Sequence, residues 1–154
     1  MGSTSLIVLD TNVLAELTRV TPAAGVLAWA RDQDPEAIFT TAVCEAELLF
    51  GVAAMAEGRR RSALARAVEA MLGAVLGGRV LSFDRKAARI YGELAAQSRR
   101  SGRAVGMADL QIAAIARAHG ADAIATRNTP HFADCGVALV NPWVAGTAST
   151  QGRA

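Results

Sequence analysis

Ser5-Leu6-Ile7-Val8-Leu9-Asp10-Thr11-Asn12 is the stretch whose reading decides the fold. Residues 6–9 are continuously apolar rather than alternating, the pattern of a strand buried on both faces. The run stops at a carboxylate, and Asp10-Thr11-Asn12 supplies turn and N-cap chemistry for a short helix over residues 13–18. A buried parallel strand running straight into a helix is the opening of an α/β domain.

The alternation continues along the chain. Thr21-Pro22 reads as the N-cap and first position of a helix reaching about residue 32, where Asp34-Pro35 breaks it. Residues 38–40 form a short strand, and Thr41 caps a long helix ending near Glu57-Gly58. A basic amphipathic helix follows over 59–76, stopped by Gly77-Gly78. Residues 80–83 make a third strand, and Asp84 caps a helix to about Arg100. A helix opening at Met107 ends at His119-Gly120, and strands over 123–126 and 137–140 complete the pattern. The expected fold is a parallel sheet covered by helices on both faces, in one domain over 1–145. The small, polar stretch 146–154 is expected to be a disordered tail.

Composition narrows the function. A chain of 154 residues suits one core of useful size. No apolar stretch approaches the roughly 20 residues that cross a bilayer, and no secretory signal is expected, since residues 6–9 are too short for an h-region and lack a basic lead-in. Cys44 and Cys135 have no metal-site spacing and are expected to be free thiols in a reducing cytoplasm. Lys86 is the sole lysine, and the Arg residues cluster at 59–61, at 85, and at 99, 100 and 103. Such clusters suit phosphates, or simply a solvated helix face. There is no phosphate-binding glycine loop, no dinucleotide fingerprint and no nucleophile elbow.

Four polar side chains remain, at the edges of apolar runs: Asp10, Glu47, Asp109 and Asn128. Each alone has an ordinary explanation: a turn residue, a carboxylate with an Arg partner, a first-turn acid favouring the helix dipole, a loop amide. Together they are expensive unless a cation joins them. Asp10 and Asn128 fall at the carboxyl ends of strands, where parallel sheets collect ligands. Ile112, Ala113 and Ala116 share a helix face with Asp109, and Val43, Phe50 and Ala54 one with Glu47. Oxygen ligands without a His or Cys cluster indicate Mg²⁺, with Mn²⁺ as the alternative. His119 is read as a helix C-terminal residue interacting with the last carbonyls, and His131 as too isolated to alter the metal reading.

Leu9-Asp10-Thr11-Asn12-Val13, Glu47-Leu48 with Gly51, Ala108-Asp109 with Ile112-Ala113-Ala114, and Thr126-Arg127-Asn128-Thr129 occur in that order. This ordered set resembles the PIN-domain family, in particular the VapC-type toxins and the FitB-like group, whose ending Asn141-Pro142-Trp143 resembles. The resemblance runs over residues 6–143. It implies a three-layer α/β/α fold with a central parallel sheet and a Mg²⁺- or Mn²⁺-dependent ribonuclease. By position, Asp10, Glu47 and Asp109 are implied as metal ligands, Asn128 stands at the fourth acidic position, and Thr11 and Thr126 match small hydroxyl residues beside the site. Arg85 and Arg127 are candidates to hold the RNA backbone. The implied partners are a cognate antitoxin, a second copy of the chain, and operator DNA only through the antitoxin. The sequence departs from the family twice. Asn128 brings no charge, which weakens a second metal, and His131 precedes Phe132 where many relatives carry an acid. A rival reading is an interaction module that chiefly binds antitoxin in an autoregulatory DNA complex, with little nuclease activity. A third is a housekeeping nuclease acting on DNA or maturing RNA.

Overall fold

In the computed structural model, which describes residues 5–145, five strands form one parallel sheet in the order β3-β2-β1-β4-β5. The strands are β1 (Ile7–Leu9), β2 (Ile38–Thr41), β3 (Val80–Leu81), β4 (Ala123–Ala125) and β5 (Ala138–Val140). The helices are α1 (Thr11–Leu17), α2 (Ala24–Arg31), α3 (Ala42–Ala53), α4 (Arg59–Ala70), α5 (Arg85–Arg100) and α6 (Met107–Ala118). They complete a three-layer α/β/α architecture. The expected tail over 146–154 lies outside the described residues.

β1 is central because its side chains have no polar face to turn outward: Val8 and Leu9 are buried along with Ile124 and Ala125 of β4. Ile7 pairs with Ile38 on one side and Ala123 on the other. The chain proceeds from β1 to one neighbour, β2, and only much later returns to the other, β4. The gap between β1 and β4 is therefore the topological switch point, where the carboxyl ends of an open sheet bind ligands. The Thr40 hydroxyl, fully buried, donates to the Leu9 carbonyl at 2.8 Å and fastens β2 to the end of β1.

Three expected caps are present. Asp10 Oδ1 accepts from Thr11 N, Thr41 Oγ1 from Cys44 N and Asp84 Oδ1 from Ala87 N. Several boundaries differ, and α1 opens at Thr11 rather than at residue 13. α2 begins at Ala24, so Thr21 is not its cap; Glu16 Oε1, from α1, accepts the Ala23 N–H at 2.9 Å instead. α3 stops at Ala53 rather than near Glu57. The expected helix over 59–76 is α4 followed by a π-helical turn, Met71–Val75, before Gly77 and Gly78 take positive φ. β3 is two residues long, its edge reinforced by Arg79, whose guanidinium donates to the carbonyls of Ile38, Pro35 and Val75. His119 ends α6, but its ring does not serve the last carbonyls: Nε2 lies 3.9 Å from Asp84 Oδ2 without a hydrogen bond.

Candidate metal centre

Asp10 is the buried member of the candidate set, 4 % exposed at the end of β1. Three donors converge on its carboxylate. Oδ1 accepts from Thr11 N at 2.7 Å; Oδ2 accepts from Thr126 Oγ1 at 2.8 Å and Asn12 Nδ2 at 3.2 Å. The Asp10 backbone N–H extends the sheet ladder to Ala125 O at 2.9 Å. Burial pushes the Asp10 carboxyl up from its ordinary value, and the negative charges of Asp109 and Glu47 push it further; the bonds from Thr126 and Thr11 oppose them. That both acids act on Asp10 places the three carboxylates in one electrostatic neighbourhood.

Glu47 reaches this neighbourhood through a hydroxyl. Thr11 Oγ1 donates to Glu47 Oε1 at 2.7 Å, joining the first turn of α1 to α3. The helix presents Cys44 and Leu48 to the core, and Glu47 and Phe50 lie on its exposed side. The apolar face expected around Glu47 is thus not a buried one, which removes the cost of burying that acid. Asp109 stands in the first turn of α6 on a face shared with fully buried Ile112 and Ala116. Its Oδ2 meets His131 Nδ1 at 2.8 Å.

Asn128 is exposed just beyond β4. Its backbone N–H donates to Thr126 Oγ1 at 3.0 Å, and its side chain makes no hydrogen bond among the described residues. Thr126 is fully buried and links Asp10, Asn12 and Asn128 through one hydroxyl. Arg127 is exposed; its backbone N–H donates to Asn12 Oδ1 at 3.2 Å, and its guanidinium lies 4.8 Å from the centroid of the Trp143 ring. An open groove of about 560 Å³ includes Thr11, Glu47, Leu48, Leu64, Arg127 and Trp143 in its walls. Arg85 opens α5, exposed, and forms no ion pair with the acidic residues among those described.

The donor set suits a hard divalent cation. Glu47 Oε2 and Asp109 Oδ1 make no hydrogen bond among the described residues, so lone pairs remain on both, and Asp10 Oδ1 accepts only one bond. Among the described residues, however, no three acidic, His or Cys side chains are grouped tightly enough to hold an ion as they stand. Ligation by all three carboxylates therefore requires a change of side-chain position, for which the exposed Glu47 is the freest. Two participants escape sequence reasoning. Asn12 spans the β1 and β4 ends, and only its place in Asp-Thr-Asn hinted at it. His131 is brought to Asp109 by tertiary folding; its one signal was its place before Phe132.

The chain matches the PIN domain family over residues 7–135 and belongs to it. Within that family it is 46 % identical to the VapC ribonuclease Y4jK of Sinorhizobium fredii, over 90 % of this chain and 98 % of that protein. It is 36 % identical to the toxin FitB of Neisseria gonorrhoeae, over 90 % of this chain and 99 % of that one. The structure of FitAB bound to a DNA fragment superposes with a TM-score of 0.81 at 35 % identity, covering 90 % of this chain and 96 % of that one.

Proposed function

We propose that this chain is a metal-dependent endoribonuclease, the toxin of a type II toxin–antitoxin pair. The observation that carries the reading is Asp10: a carboxylate buried at the switch point, within the field of Glu47 and Asp109. A family in which a relative 46 % identical is named a ribonuclease supplies the reaction class. Asp10 and Asp109 would hold Mg²⁺ or Mn²⁺ directly, and Glu47 directly or through water. Bound there, the cation supplies Lewis acidity toward the scissile phosphate and the attacking water.

The protein's own groups do the remaining work. Thr126, Asn12 and the Thr11 N–H keep Asp10 oriented and favour its ionised form. Thr11 aims Glu47, which positions the attacking water. Arg127, braced on Trp143 beside the acids, holds the RNA backbone, since a guanidinium offers bidentate contacts to phosphate. Asn128 adds a carbonyl without charge, which favours one metal over two. Arg85 is a more peripheral backbone contact.

The same groove supports the partner reading. Leu48, Leu64 and Val68 give it an apolar floor between α3 and α4, and exposed Phe50 stands on the outer side of α3. An amphipathic antitoxin helix fits such a groove, and the FitAB relative was solved on DNA. Operator DNA would then be reached only through the antitoxin, with the toxin as a homodimer in the cytoplasm. No helix among the described residues is long and apolar enough to cross a membrane.

The deciding experiment compares RNA cleavage by the wild type, Asp10→Asn and Asp109→Asn, with Mg²⁺ and with EDTA. Cleavage confined to metal-loaded wild type is expected. Full activity in either variant, or in EDTA, would sink the reading; an inert wild type that still binds antitoxin and operator would favour the interaction module.

A further inference from the structure

The contact between His131 and Asp109 is supported by the surrounding turn. An ionised carboxylate only accepts hydrogen bonds, so His131 Nδ1 carries the hydrogen and donates to Asp109 Oδ2 at 2.8 Å. The side chain of His131 is about half exposed, yet its backbone is held from three sides. Phe132, the next residue, is 1 % exposed in the core. The His131 N–H donates to Asn128 O at 3.0 Å within the 3-10 turn Thr129–Phe132. Arg103, in the loop between α5 and α6, donates to the carbonyls of Pro130 and Ala133 and pairs with Asp134 at 3.1 Å. Asp134 has φ of 63°, in the left-handed region that Asp tolerates better than most side chains. One guanidinium thus closes the turn from which His131 reaches Asp109.

We propose that His131 is a positioning residue for the metal centre, and that Arg103 sets it in place by clamping the turn. The inference rests on the reading of Asp109 as a metal ligand. With Oδ2 engaged by the imidazole, Asp109 is restricted in rotation and keeps Oδ1 for the cation. Hydrogen bonds to the far oxygen of a ligating carboxylate fix its orientation, as outer-shell partners do generally. An acid at position 131 would add negative charge beside Asp109; the imidazole supplies a donor instead.

The test uses the purified full chain and Mn²⁺ alone, with affinity read from the free-ion EPR signal and nitrogen coupling read by pulsed EPR. His131→Asn keeps a donor near the Nδ1 position, whereas His131→Gln is also a neutral amide but carries its donor one carbon further out. His131→Gln should weaken Mn²⁺ binding about tenfold, and His131→Asn should restore most of it. Arg103→Met should weaken binding in the same direction. No imidazole nitrogen coupling is expected in the wild type. Equal affinity in wild type and His131→Gln would overturn the inference while leaving the metal centre intact. Nitrogen coupling lost in both variants would overturn it differently, making His131 a ligand. A wild type that takes up no Mn²⁺, or that Asp109→Asn leaves unchanged, removes the metal reading and this inference together. Because His131 is half exposed, both amide variants are expected to fold, and metal-free melting curves establish that independently.

Discussion

Thr126 Oγ1 donates to Asp10 Oδ2 at 2.8 Å across 116 positions of sequence. This hydroxyl is fully buried, and it also accepts from Asn128 N. Thr126→Val keeps the shape and deletes the donor. A buried carboxylate then loses one partner and a backbone N–H loses its acceptor, which costs about 2 kcal/mol. In a chain of this size the melting temperature should fall by about 4–8 °C. Calorimetry on metal-free protein checks it; an unchanged melting point would contradict the bond's role.

Asp10 and Glu16 should impose opposite pH dependences. Burial and neighbouring acids raise the Asp10 carboxyl above its unfolded value. The native state then binds the proton more readily, so stability falls as pH rises through the interval between the two values, and the cost persists above it. Metal-free Asp10→Asn should accordingly gain on the wild type from acid toward neutral pH and then level off. Glu16 is the reverse. The Ala23 N–H, then burial's smaller opposing effect and Arg19, leave its carboxyl below the ordinary value. Its contribution is complete above the unfolded value and is lost as pH falls through the lowered folded one. Glu16→Gln should therefore destabilise at neutral pH and matter least in strong acid. Melting curves across pH for both variants test the signs.

A divalent cation should reverse the cost at Asp10. Binding to the native state alone at one hundred times Kd adds about 2.7 kcal/mol. Mn²⁺ is expected to raise the melting temperature of the wild type, and to raise that of Asp10→Asn much less. Calorimetry with EDTA, Mg²⁺ and Mn²⁺ measures this. Equal shifts in both proteins would place the ion elsewhere.

Glu47 and Arg127 should separate chemistry from binding. Glu47→Gln retains an acceptor for Thr11 and lies on an exposed surface, so stability should hold. Loss of the carboxylate should cut kcat by about a hundredfold, equivalent to about 2.7 kcal/mol of transition-state stabilisation. Arg127→Ala should instead raise KM for RNA, with a flatter dependence on salt. Steady-state kinetics at two ionic strengths distinguishes them; a kcat effect confined to Arg127 would invert the assignment.

The legible parts of the sequence were those where one local cause sufficed. β1 and β4 could be read because a strand buried on both faces has no polar alternation, and Thr41 and Asp84 because their caps are bonded within three residues. The start of α2 was misread because its partner, Glu16, reaches back from another helix. The burial of the α6 face that carries Asp109 was legible from its small apolar residues. The exposure of Glu47 was not, since the apolar residues around it supply a groove wall rather than core. Asn12 and His131 became participants only when β4 and the turn after it were laid against β1 and α6, and no periodicity reports such meetings.

The order β3-β2-β1-β4-β5 also has a consequence for synthesis on the ribosome. β1 is made first, but one of its two ladders waits for residues 123–125. Asp109, His131 and Thr126 all belong to the last third of the chain, and Asp10 lacks its neighbours until they emerge. The acidic centre therefore cannot assemble on a nascent chain whose C-terminal third is still in the exit tunnel. On the proposed reading, a protein able to destroy RNA stays harmless to the message encoding it until residues 109–131 have left the tunnel.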